Sequence, residues 1–133
     1  MSKLITLQSG VELKITLAPF SEAKELYQAL LKEIKDLKLD PEAEIDVNFF
    51  KDIFCSSMAS KQIEEALKKC LQRCIYGKER IVNIDAIFES EVAREDYVEV
   101  CFEVARANVM PFTKNLYAQF SKIKETLIGE SPV

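Results

Sequence analysis

A chain of 133 residues falls within the usual size of one domain and can bury roughly two thirds of the surface its unfolded form exposes, so no disulfide or metal staple is needed for folding. Apolar residues make up 48% and charged residues 30%, a globular balance, and the absence of histidine removes histidine-dependent triads and imidazole metal sites. The net charge of −4 and pI of about 5.0, with lysines interleaved among glutamates, leave no basic footprint for phosphates, so nucleic acid is not expected as a direct partner.

The first seventeen residues predict a β-hairpin. Ile5 and Leu7 alternate with polar residues, Ser9-Gly10 supplies the turn, and Val11, Leu13, Ile15 and Leu17 resume the period of two. Pro19-Phe20-Ser21 then predicts a helix entry with Ser21 as the cap. Ala23, Leu26, Tyr27, Leu30, Ile34 and Leu37 recur at three-four spacing to an end near Lys38. Asp40-Pro41-Glu42-Ala43-Glu44 reads as a surface connection, after which Asp46 caps a short aromatic helix through about Ser57 carrying Phe49, Phe50, Ile53 and Phe54.

Ser60 opens the clearest helix. Ile63, Ala66, Leu67, Cys70, Leu71 and Cys74 form its stripe, Glu64 and Glu65 are spaced to pair with Lys68 and Lys69, and Gly77 suits a left-handed C-cap. The stretch from Arg80 to Phe88 reads as either a short strand or loop, and a strand around Ile81 to Asn83 is the expectation. Arg94-Glu95-Asp96 opens a further helix with Tyr97, Val100, Cys101, Val104, Ala105 and Asn108 on one face. Pro111 marks either a kink or the first turn of a last helix running to about Leu127, with Leu116, Tyr117, Phe120, Ile123 and Leu127 on its stripe, and the tail 128–133 frays. The expected fold is a single α+β domain over 1–133, mostly α-helical, with the N-terminal hairpin and a third short strand near Ile81 to Asn83 packed on four or five amphipathic helices.

No apolar run approaches the roughly twenty residues that span a bilayer, and the first residues lack the order of a signal peptide, so a cytoplasmic protein without membrane contact is expected. Cys55, Cys70, Cys74 and Cys101 match no secreted disulfide framework and read as thiols. Cys70 and Cys74 stand one helical turn apart, a spacing two metal ligands would share, but without a CxxC pair or a histidine the better reading is small buried hydrophobes, and no metal or cofactor is expected. No glycine-rich segment precedes a helix to cradle phosphates, and Glu95 and Glu99, one turn apart, read as a solvated face, so the chain is not expected to be an enzyme.

Binding has two routes. The hairpin has strand edges that need pairing, either internally with the Ile81 region or with another chain by β-augmentation. Alternatively, aromatic side chains form a docking surface, either Phe49, Phe50 and Phe54 or Phe112, Tyr117 and Phe120, the last helix being preferred because a terminal element loses fewest internal contacts when it engages a partner. The partner-binding candidates are therefore Phe112, Tyr117, Phe120, Phe49 and Phe50.

Three stretches carry a resemblance: ITLQSGVELKITLAPFSEAKELYQALLKEIK, EIDVNFFKDIFCSSMASKQIEEALKKCLQR and DYVEVCFEVARANVMPFTKNLYAQF. Together they resemble the small tail assembly chaperones of long-tailed bacteriophages and prophages of Gram-positive hosts, over most of residues 4 to 123, with Arg80 to Arg94 matching poorly. The resemblance implies a non-enzymatic protein of the host bacterial cytoplasm that is absent from the mature virion. Its implied clients are the tape measure protein and the tail tube protein, and many members are also made in a longer, frameshifted form. Self-association stays open. The alternative is a structural head-tail connector or tail completion protein of the virion.

Overall fold

The computed structural model describes residues 2–35 and 47–112. The N-terminal hairpin pairs β1 (Ser2–Thr6) with β2 (Glu12–Thr16) antiparallel, in a register that sets Lys3 opposite Ile15 and Ile5 opposite Leu13. Its turn closes through the Leu7 amide donating to the Val11 carbonyl and the Gly10 amide to the Leu7 carbonyl, each at 2.9 Å. Gly10 has φ +93°, a conformation that side-chain-bearing residues rarely adopt, which explains a glycine here.

Two short strands complete the sheet in the order β1-β2-β3-β4: β3 (Ile75–Tyr76) pairs with β2 and β4 (Glu79–Arg80) pairs with β3. The third strand is thus internal, but it lies at 75–76 and not at Ile81 to Asn83. Ile81 is buried with its amide donating to the Cys74 carbonyl at 2.9 Å, and the Asn83 side chain accepts from the Ala86 amide at 3.3 Å, capping a one-turn helix α4 (Ile84–Ile87). An asparagine that satisfies a free helix amide competes directly with extended pairing. Gly77 is left-handed, with φ +65°, but it forms the β3–β4 turn, and its amide donates to the Glu12 carbonyl at 2.8 Å. The preceding helix ends six residues earlier, with Gln72 as its C-cap.

The first helix, α1 (Phe20–Lys35), starts one residue before Ser21, because the Pro19 carbonyl already accepts the amide of Ala23 at 3.0 Å. Ser21 is therefore inside the first turn and does not cap it. The expected end near Lys38, the connection at 40–44 and the Asp46 cap lie outside the described residues. Next, α2 (Val47–Ser57) brings Phe54 edge-on to Phe102 at 6.0 Å between ring centres. Helix α3 (Lys61–Leu71) begins as expected, with Ser60 Oγ accepting the Ile63 amide at 3.4 Å, and its whole apolar stripe is buried. Its lysines do not pair along the helix. Lys69 reaches Glu25 of α1 at 2.9 Å, and Arg73, just beyond the helix, reaches Glu22 at 3.3 Å. An ion pair between elements replaces the local one because α1 and α3 lie side by side, and such exposed pairs contribute only about 0.2–1 kcal/mol.

Helix α5 (Glu91–Val109) is capped by Ser90, whose Oγ accepts the Ala93 amide at 3.2 Å, and so starts ahead of Arg94. Val100, Cys101, Val104, Ala105 and Asn108 are buried on its expected face. At Pro111 the helix gives way to a 3-10 turn, Met110–Phe112, since proline has no amide for the Ala107 carbonyl. One continuous core joins Leu7, Leu13 and Ile15 of the hairpin to the buried stripes of α1, α3 and α5, with each fully buried Leu, Ile or Phe side chain contributing roughly 1.5–3 kcal/mol. The fold is α+β and mostly helical. No helix among the described residues is long and apolar enough to cross a membrane.

Candidate functional site

Helix α5 carries the hairpin on polar anchors. Asp96, only 3% exposed, accepts the Ser9 hydroxyl at 2.7 Å and the Tyr76 hydroxyl at 2.6 Å on the same oxygen, Oδ2. Burial, and then the bond to Asp96, push the Tyr76 phenol up to about 12. Near the turn, the Gln8 amide donates to Glu99 at 3.2 Å. Three helical turns on, the buried Asn108 side chain accepts the Ala18 amide at 2.8 Å and donates to the Val104 carbonyl at 2.9 Å. The strand–helix angle is thus held at both ends by groups that are themselves satisfied, which makes the adjoining surface a rigid one.

That surface contains an open groove of about 500 Å³ between the hairpin and the C-terminal end of α5. Its lining is mainly apolar, with Ile15, Leu17, Ala107 and Pro111 contributing, and Lys3 and Arg106 bring the only charges among the described lining residues. Lys3 shares the inward-facing phase of β1 with Ile5, by its register with Ile15. Leu17 is 38% exposed. Phe112 directly follows Pro111, and its ring centre lies 6.2 Å from that of Phe20, three residues after Leu17. Phe112 also stacks on Tyr27 at 4.6 Å and 15° between planes. Phe20 is 68% exposed, with Lys24 Nζ 5.9 Å from its ring centre. Apolar walls open to solvent form the kind of patch that marks a docking surface in a protein of this size.

The cysteines form no second site. Cys70, Cys74 and Cys101 are buried and Cys55 is exposed, and burial above all pushes the three enclosed thiols up to about 12, 11 and 12 respectively. Raised thiols are poor nucleophiles and poor ligands, the opposite of an activated cysteine. Among the described residues no group of three or more Cys, Asp or Glu side chains is arranged to hold a metal ion.

No family model, curated protein or solved structure matches the chain.

Of the expected partner-binding residues, Phe112 follows the groove-lining Pro111 but does not itself line the groove, and is half-buried in the Phe20–Tyr27–Phe112 cluster. Phe49 and Phe50 belong to α2, but their side chains are outside the described residues, as are Tyr117 and Phe120 entirely. Phe54, grouped with Phe49 and Phe50 as surface, is sealed in the core at 0% exposure. Lys3, Leu17, Phe20 and Arg106 are not among the expected partner-binding residues. A signal existed for Phe20, which stands seven residues before Tyr27 and so on the same helical face.

Proposed function

We propose that the protein is a non-enzymatic assembly chaperone of a long-tailed phage or prophage, holding apolar helical segments of the tape measure protein, the tail tube protein or both while the tail is built. The reading rests on the three quoted stretches and on one structural observation that supports it, the apolar groove lined by Ile15, Leu17, Ala107 and Pro111. A holder of apolar helices needs open apolar area on a rigid frame, and it needs no reacting group. The site of action is the host bacterial cytoplasm, and the protein is absent from the mature virion.

Co-expression with the tape measure protein of the same genome tests this. The soluble yield of the tape measure protein rises in the presence of the chain, and the gain is lost with Leu17→Asp and reduced with Phe112→Ala plus Phe120→Ala, while circular dichroism shows the variants folded. An unchanged yield refutes the reading. Recovery of the chain in purified virions at a fixed stoichiometry supports instead the head-tail connector or tail completion alternative.

A further inference from the structure

Holding an apolar helix requires apolar walls but no cations, yet the groove has two. In a chain of net charge −4, both charged side chains that line it are basic. One has no carboxylate partner among the described residues and the other has only a long one. The Lys3 side chain makes no ion pair or hydrogen bond among the described residues. The nearest carboxylate to Arg106 is Glu103 at 3.9 Å, the outer limit of an ion pair, and Arg106 Nε is buried without a hydrogen-bond partner. The Arg106 side chain is 35% exposed and held only by this long contact, so beside an apolar groove its outer guanidinium nitrogens are placed to take a carboxylate from whatever enters.

Resting on the client-holding reading, we propose that the groove selects an acidic amphipathic helix of another polypeptide, whose apolar face packs on Leu17, Ala107 and Pro111 while flanking carboxylates pair with Lys3 and Arg106. The chain's own residues 113–133 are poorly matched in charge, since they carry three lysines and two glutamates. A small apolar acid is poorly matched in shape, because the groove is open along one side and enclosed ligand sites bury most of their ligand. Charge selection of this kind sets the register of a bound helix and rejects basic segments that the apolar walls alone would accept.

The test uses the full chain and two fluorescent amphipathic peptides with one apolar face, flanked by glutamates in one and by lysines in the other, at about 50 mM salt so that screening is weak. The acidic peptide binds at least about tenfold more tightly, equivalent to about 1.4 kcal/mol. Lys3→Glu narrows the preference, and Lys3→Glu with Arg106→Glu reverses it. The single variant keeps the test valid if the double variant fails to fold, because Lys3 is exposed. Equal binding of both peptides, abolished by Leu17→Asp, overturns the charge selection and leaves the client-holding reading standing. Binding of neither peptide overturns both. Displacement of the acidic peptide by an equal concentration of a 113–133 peptide or of a medium-chain fatty acid, or a dimer in sedimentation that Lys3→Glu splits, assigns the groove to another occupant and overturns the proposal.

Discussion

The Asp96 anchor separates charge from geometry, because both hydroxyls converge on a single oxygen. In Asp96→Ala, Ser9 and Tyr76 lose their acceptor. Hydrogen bonds to a charged group contribute about 1.5–3 kcal/mol each, but Ser9 is exposed and Tyr76 half-buried, so both hydroxyls partly recover with water, and the variant is spared the cost of burying a carboxylate. The net loss is about 2–3 kcal/mol. Asp96→Asn keeps an acceptor oxygen in the same place for both hydroxyls, loses the charge and turns the other oxygen into an amide NH2, so its cost is about 1 kcal/mol. Urea unfolding at pH 7 reads both values, and with a slope of about 1.5–2 kcal/mol per molar, Asp96→Ala moves the midpoint down by on the order of 1–2 M. An alanine variant within about 0.5 kcal/mol of the parent, or an asparagine variant as damaged as the alanine one, refutes the idea that this carboxylate ties the hairpin and β3 to α5.

Phe54→Ala costs about 3–5 kcal/mol in the same unfolding assay, whereas Phe20→Ala costs under about 0.5 kcal/mol and weakens client holding; similar costs for the two would mean the exposed ring is packed in solution. Alkylation of the native protein at pH 8, followed by intact mass, shows one fast thiol, Cys55, and three that react only after denaturant is added; two or more fast thiols contradict the burial of Cys70, Cys74 and Cys101. Those three thiols and the Tyr76 phenol have folded pKa values above their unfolded ones, so above about pH 9 the unfolded chain holds fewer protons than the folded one. Their contribution is complete below pH 8 and declines as pH rises through 9 to 12, by up to about 1.4 kcal/mol per pH unit for each buried thiol and by less for the more exposed Tyr76. A urea midpoint that stays flat from pH 8 to pH 10.5 contradicts this.

What the sequence made legible follows from how local each signal is. The stripe of α3 and its Ser60 cap are set by spacing and by one side chain three residues from the amide it satisfies, and both appear as read. The two-residue strand Ile75–Tyr76 has no period to read. It exists because β2 has an open edge and α3 delivers the chain beside it, which is tertiary information. Gly77 shows the same limit at one residue, since a left-handed glycine after a helix serves a C-cap and a hairpin turn equally, and only the nearby Glu12 carbonyl decides. Period placed Phe54 on a helical face but could not say that Phe102 covers it, and it placed Asp96 at a helix opening when the carboxylate is in fact buried under Ser9 and Tyr76. Lys3 was the most readable of the missed residues, since it falls in the same alternating phase as Ile5 and Leu7 and is therefore a cation on the inward face of an edge strand.

The two buried polar anchors of α5, Asp96 and Asn108, differ in what they hold, and this separates stability from recognition. Asp96 grips the turn end of the hairpin, away from the groove. Asn108 stands two residues from Arg106, and its side chain accepts the amide of Ala18, the neighbour of Leu17, so it fixes one groove wall relative to the other. Asn108→Ala strands the part-buried Ala18 amide, a loss of about 1–3 kcal/mol, and also frees Leu17 to shift away from Ala107 and Pro111. Under conditions where both variants remain folded, Asp96→Ala leaves the affinity for the acidic peptide within about twofold of the parent, whereas Asn108→Ala lowers it by about fivefold or more, because a wall that must be re-ordered on binding adds an entropic cost. Peptide titration of the two variants side by side decides the matter: equal losses in affinity would mean that the groove is shaped by the client and not held ready by α5.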